Sequence, residues 1–597
     1  MALPPHALRR RVFVGSLVSP LSLYELQAVS CAVVGIGSSG IIRFIEDVLD
    51  ASDQHGATDA GSRPRKPVEA VSEAALERAR KVVEAHGWEW DECAVTVLEP
   101  GSFLSPGFID THTHACQIPN IGLGQQYELL DWLKHVTFPR EARYTDLHYA
   151  ERTYKSVVQR LLNSGTTTAC YYATLHLEAT KVLADVCTTL GQRAFVGKCQ
   201  MDRHSPPEYC EKSASQSLQD TKDFIDYCTR LAAAYAPGPG GLSPANPQDA
   251  LSKTLRRQTE SAEMQASISR LSQTLEDASV DDKPASNEAT NGVVRAPQDP
   301  PSVNDGEKGN LEFALVQPIL TPRFAISCSD ALLAGIGAIV TKDPSLRIQT
   351  HLSENPSEIE FTRSLFPFAS SYTHVYDHFS LLTDRTILAH AVHLTQEEML
   401  LLKERKCGVS HCPTSNLNLR SGASPIAELL TLGIKVGLGT DVSGGFGIGM
   451  LSAVREASVV AKVIDFSRRR VDAETEAEVD GHTEAATEVA AAGKRDLTKG
   501  PLPIATLLYL ATKGGAELCA MEDRIGSLEV GKDFDALLVR TLSANAPFRS
   551  GQNPNMWRED DDTLLDVFEK WLFCGDDREI ASVFVRGRVV GGSTPLD

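Results

Sequence analysis

Eight short apolar runs recur between residues 107 and 441, and several of the stretches between them have the charge and spacing of helices. The runs are GFIDTH (107–112), TTTACYY (166–172), RAFVGKCQ (193–200), FALVQPIL (313–320), LRIQTHL (346–352), TILAHAV (386–392), CGVSHCP (407–413) and KVGLGTD (435–441). Among the separating stretches, ARYTDLHYAERTYKSVVQRLL and TQEEMLLLKERK read as helices. Alternation of this kind calls for parallel strands joined by helical crossovers, and eight such units close a (β/α)8 barrel of TIM type. The first, fifth, sixth and eighth runs carry His or Asp at or near their ends, on the face where such barrels build their sites.

Outside that rhythm, VFVGSLVSP and CAVVGIGSSGIIRFI near the start read as short strands around turns, and ASVFVRGRVVGG (581–592) reads as a closing hairpin. The two chain ends are therefore expected to join in a small flanking β-sandwich. The division that follows assigns 1–105 to the first part of that β domain and 106–515 to the barrel. Residues 516–597 supply a helical connection and the rest of the β domain. PLPIATLLYLATKGGAELCAM reads as a helix pair or as one helix interrupted by glycines. Two polar segments interrupt the barrel pattern. Residues 236–310, rich in Pro, Ser, Asp and Asn, read as a disordered or weakly helical insertion, with a helix expected at SKTLRRQTESAEMQASISRLSQTLEDA. Residues 470–499, acidic and alanine-rich, read as a solvated insertion.

A formal charge of -20 over 597 residues argues against nonspecific binding to nucleic acid or to an anionic membrane. The 13 cysteines contain no CxxC pair, which suits reduced thiols and a cytoplasmic setting. No run approaches 18 consecutive apolar residues, and the start lacks the apolar core of a signal peptide, so a soluble protein is expected.

PGFIDTHTHACQ (106–117) places His112 and His114 one residue apart on a strand, where period-2 side chains point the same way. His351 in IQTHLSE, His390 in ILAHAVH and Asp441 in GLGTDVSGG each follow an apolar run and complete a candidate ligand set. Nitrogens plus a carboxylate suit zinc or iron(II) rather than magnesium. An open coordination position would let such a cation supply a hydroxide nucleophile near neutral pH. Asp441 is a ligand, a proton acceptor or an orienting group for that water. Glu354, three residues beyond His351, is placed to carry a proton, or to meet free N–H groups at a helix start.

PGFIDTHTH, IQTHLSE, the His390 segment and GLGTD occur in an order that resembles the amidohydrolase superfamily, in its mononuclear branch. GKCQMDRHSPPEY, TPRFAISCSD and SHCPTSNLNLRSG are similar to segments of the guanine-deaminating members. The resemblance implies one Zn2+ per chain held by His112, His114, His351, His390 and Asp441, with catalysis by Glu354, Asp441 and His390. It also assigns Gln117, Arg323 and Phe324 to a pocket for a purine base. The implied reaction attacks C2 of guanine with water as co-substrate. It releases ammonia and leaves xanthine, and the implied assembly is a homodimer.

From the residues alone, PRF at 322–324 reads instead as a structural Arg–carboxylate pair beside a core aromatic. Two other readings of the whole chain stand beside the resemblance. One is a deaminase for another amino-substituted heterocycle, and the other is a catalytically silent scaffold on the same fold.

Overall fold

The computed structural model describes residues 9–49, 69–235, 311–478, 496–542 and 551–596. Seventeen strands fall within them. The first five are β1 (Arg11–Pro20), β2 (Leu26–Ile36), β3 (Ile42–Asp47), β4 (Ala94–Val97) and β5 (Ser102–Pro106). The next nine are β6 (Phe108–His114), β7 (Thr166–Tyr172), β8 (Arg193–Gly197), β9 (Cys199–Gln200), β10 (Val316–Pro322), β11 (Arg347–Leu352), β12 (Thr386–His390), β13 (Gly408–His411) and β14 (Lys435–Leu438). The chain ends with β15 (Ala536–Arg540), β16 (Ile580–Val585) and β17 (Arg588–Gly591).

All eight expected barrel strands are present, paired in parallel in the order β14-β13-β12-β11-β10-β8-β7-β6, with β9 continuing β8 alongside β10. The ring closes between its first and last strands. Thr111 Oγ1 donates to the Leu438 carbonyl at 2.8 Å, and the Asp441 N–H donates to the His112 carbonyl at 2.9 Å. One end of the lumen is filled by Ile109, Cys170, Phe195, Ile319 and Ile387, sealed by Leu518, Cys519 and Met521. The barrel is thus a packed core with its chemistry confined to the strand ends. Two of the outer helices show why their segments fold as they do. Asp146 caps the helix Leu147–Asn163 by accepting from His148 N and Tyr149 N, and Thr395 with Glu398 forms a capping box on Gln396–Glu404.

The two chain ends join in one eight-stranded sheet of order β17-β16-β15-β5-β1-β2-β3, with β4 beside β1. Three strand spacings separate β1 from β16, roughly 14 Å across a flat sheet. Yet the Phe13 and Phe584 ring centroids are 5.5 Å apart. The sheet therefore curls over an aromatic core in the manner of a sandwich.

Two contacts fasten this sheet to the barrel. Trp571, fully buried, stacks on Phe108 of β6 at 5.8 Å and meets Phe103 of β5 edge-on. Arg193 of β8, 1% exposed at its side chain, pairs with Asp533 and Asp535, each at 2.9 Å. Removing Arg193 leaves Asp535 without its guanidinium partner, while Asp533 keeps Arg524 and Arg586; losing one partner of a buried pair typically costs about 3–5 kcal/mol. Arg193→Ala is expected to lose stability of that order in urea unfolding, with retained metal content in whatever protein remains folded.

The differences from the sequence expectation lie at strand ends. The runs expected at 407–413 and 435–441 pair only as far as His411 and Leu438, because the backbone leaves the barrel there. Asp441 has a positive φ of 43°, outside any strand conformation. Within the segment expected to be a solvated insertion, residues 470–478 continue the helix Met450–Glu478, as its alanines and glutamates favour. Residues 479–495, the insertion at 236–310 and the helix expected within it lie outside the described residues. Among the described residues no helix is long and apolar enough to cross a membrane.

Candidate active site

The C-terminal ends of β6, β11 and β14 deliver four side chains to one point, and the end of β12 brings a fifth, His390, beside them. His112 and His114 come from the last turn of the β6 pleat and face inward together, both buried. His351 lies near the end of β11, and Asp441 follows β14 by three residues. The ligand-capable atoms of His112, His114, His351 and Asp441 all lie within 4.8 Å of one another. Asp441 Oδ1 is 3.3 Å from Nε2 of both His112 and His114. Positive φ values at Ser353 (47°), His390 (73°), Ala391 (47°) and Asp441 (43°) cluster around this centre. They turn the strand ends sharply where side chains must converge, as functional sites often do. Gly439 permits the closest approach: a Cβ there would lie 2.9 Å from His112 Cβ and 2.7 Å from Ser410 Oγ.

The residues fit a divalent cation. Both ring nitrogens of His112 and Nδ1 of His114 are buried without a hydrogen-bond partner, which is costly unless something else binds them. His351 Nδ1 donates to the Arg323 carbonyl, so its other nitrogen carries the free lone pair. Burial holds the pKa of His112 down, that of His114 at about 4, and that of His351 well below the imidazole range. Neutral imidazole is the ligating form. Burial works to raise the Asp441 pKa, but the nearby imidazoles of His112, His114 and His390 outweigh it and keep the carboxylate ionised. Three neutral imidazoles with one carboxylate form a nitrogen-rich set of the kind that takes zinc or iron(II).

His390, expected among the ligands, lies just outside this quartet. Its Nδ1 donates to Asn416 Oδ1 at 2.8 Å, which turns Nε2 toward Glu354 Oε2 at 3.4 Å and Asp441 Oδ2 at 3.9 Å. That nitrogen faces the two carboxylates. Glu354 is 2% exposed, and Ser421 Oγ donates to its Oε1 at 3.1 Å. Burial, reinforced by the charge of Asp441, pushes the Glu354 carboxyl up to about 8. A carboxyl so placed holds or yields a proton near neutral pH. It heads no helix N–H array: the helix that follows starts at Pro356 and is capped by Asn355.

Beside the quartet opens a cavity that the quartet shares with Gln117, Arg323, Phe324 and Glu354. His114, Glu354 and Asp441 form its polar floor, while Leu129, Trp132 and Leu133 supply an apolar side. Gln117, Arg323 and Phe324 line it, so the three residues expected to hold a purine are brought together. The structural reading of PRF also holds. The Arg323 fork binds Glu141 through Nη1 at 2.7 Å and Nη2 at 3.1 Å, so only its remaining N–H groups are available to a ligand.

Four residues at the site escaped the sequence reading. Glu141 sits in a charged stretch with no motif around it, and only the need of a buried Arg323 for a carboxylate could have called for it. Asn416 and Ser421 lie in SNLNLRSG, whose polar character was evident, although their contacts with His390 and Glu354 were not. Asp110, inside the first motif, accepts from Thr440 N at 3.0 Å and from Thr440 Oγ1, tying β6 to the loop that carries Asp441.

Comparison with known proteins agrees with this geometry. The profile of the "Amidohydrolase family" matches residues 103–279 and 253–590. The chain is 36% identical to a probable guanine deaminase of Schizosaccharomyces pombe, covering 98% of this chain and 86% of that protein. It is 33% identical to guanine deaminase of Dictyostelium discoideum, covering 97% and 98% respectively. The solved structure of guanine deaminase from C. acetobutylicum with bound guanine superposes with a TM-score of 0.65 at 26% identity, covering 97% of this chain and 99% of that one.

Proposed function

The chain belongs to the amidohydrolase family, alongside its guanine deaminases, and on that premise we propose that it hydrolyses guanine to xanthine and ammonia with one bound Zn2+. One observation carries the reading: a three-histidine, one-aspartate quartet opens into the same cavity as Glu354, Gln117 and Arg323.

The cation, when bound by His112, His114, His351 and Asp441, supplies the Lewis acidity that makes water a nucleophile near neutral pH. The chain's own residues do the rest. Gln117 and the free N–H groups of Arg323 meet the O6 and N7 acceptors of guanine, and Phe324 packs against the ring. Glu354 takes a proton from the attacking water and returns one to ring nitrogen N3 as the oxygen bonds to C2. Asp441 assists that transfer as an ionised carboxylate. His390, held by Asn416 and facing both carboxylates, orients the water rather than serving as a fifth ligand. The second water proton, on the oxygen now bonded to C2, passes to the exocyclic amine, the C–N bond breaks, and ammonia leaves with a carbonyl at C2. Guanine plus water thus balances xanthine plus ammonia.

The family resemblance favours a free base over a nucleoside. The residue division 1–105, 106–515 and 516–597 belongs to the same reading, with the middle segment carrying the chemistry and the outer two the curled sheet. A cytoplasmic homodimer is proposed with it, on the strength of the family resemblance. A substrate panel tests the reaction. Guanine should be turned over in preference to adenine, pterin and triazine compounds, and ready turnover of one of those with none of guanine would replace this reading.

A further inference from the structure

Glu141 ends the short helix Phe138–Glu141, has no exposed surface, and makes contacts that none of the reaction steps above uses. Its two oxygens take three hydrogen bonds from two other elements. Arg323, beyond β10, donates from Nη1 to Oε2 at 2.7 Å and from Nη2 to Oε1 at 3.1 Å. Gln117, in the turn Ala115–Asn120 after β6, donates from Nε2 to Oε1 at 2.8 Å. The Gln117 carbonyl oxygen accepts from Ser443 N at 3.1 Å, which fixes the amide at both ends.

These bonds leave a defined remainder. Gln117 keeps one N–H and one oxygen lone pair, and Arg323 keeps its buried, unpartnered Nε–H and the outer N–H of each terminal nitrogen. Phe138, from the same short helix, lies under the guanidinium with its ring centroid 5.0 Å from Cζ. Burial opposes ionisation of Glu141, but the charge of Arg323 overrides it and holds the carboxyl below its usual range. The wall that faces the cavity therefore carries a neutralised pair and a donor array of fixed direction.

We propose that Glu141 is a positioning residue for the purine pocket. By locking Gln117 and Arg323 in one orientation, it sets the preference for a purine that carries an oxygen at position 6 over one that lacks it. The inference rests on the guanine reading above. Its physical basis is that guanine O6 accepts hydrogen bonds, and donors already aimed at an acceptor bind it without paying to reorganise.

Glu141→Gln is the direct test, because it keeps the shape and replaces one acceptor by an NH2 group. That group would face the donors of Arg323 or Gln117, so the array cannot keep its present geometry. Guanine turnover by the unaltered enzyme is measured first, so that failure at this stage counts against the proposed reaction and not against the role of Glu141. In E141Q with unchanged metal content, KM for guanine should rise about 10- to 100-fold, the usual range for a lost bond to a charged group, with kcat moving less. The inhibition constant of 2-aminopurine, which is guanine without O6, should shift far less. A purely structural role would weaken both purines equally, and that result, like no change in either, overturns the proposal. If E141Q does not fold, Glu141→Asp keeps the charge on a shorter arm. It should show a smaller rise for guanine with the same asymmetry, and equal changes for both purines would again overturn the inference.

Discussion

Glu354→Gln should lower kcat by about 10²- to 10⁴-fold, the range typical of losing a positioned acid–base group, while leaving the protein folded and metal-loaded. The glutamine keeps the size of the side chain and can still accept from Ser421, so the local packing is preserved. It cannot accept a proton from water and pass it to N3. Because Glu354 contacts His390 but lies outside the metal-binding quartet, bound metal per chain should not fall with activity. KM should change little, since the residues assigned to the purine edge are untouched. A parallel fall in metal content would instead mark Glu354 as part of cation binding.

Removing the metal should have an equally large effect through a different route. Dialysis against a chelator is expected to bring activity to background, and stoichiometric Zn2+ should restore it. Stability should follow, because a ligand held only by the native state stabilises it by about 2.7 kcal/mol at a free concentration one hundred times Kd. Both ring nitrogens of His112 and Nδ1 of His114 are buried without a hydrogen-bond partner, so the metal-free protein should melt at lower temperature. His112→Ala should reproduce both losses without chelator, and added Zn2+ should not rescue it. A folded sample that takes up no divalent metal, with melting unaffected by chelator, would favour a silent scaffold.

The sequence was most informative where chemistry and strand period coincide. His112 and His114 are legible because a two-residue spacing on a strand aims both rings one way, and each barrel strand announces itself as a short apolar run. A five-member ligand set could be assembled from the sequence because its members stand at or near the ends of apolar runs, and the structure brings four of them within 4.8 Å of one another. Legibility failed where the backbone turns. The left-handed residues His390 and Asp441 swing side chains through angles that no periodicity encodes, so the position of His390 outside the quartet could not be read. It failed again for Glu141, whose meaning arises only when a helix over 20 residues past the first motif meets an arginine 182 residues further on. The curled sheet lies between these cases. Its strands were evident at both ends of the chain, but its single continuous hydrogen-bonded order was not.

What the zinc-loaded protein makes from guanine tests the proposed reaction most directly. Product analysis should find one xanthine and one ammonia for each guanine consumed, with both lost in Glu354→Gln. Folded, metal-loaded protein that forms neither product from guanine would contradict it.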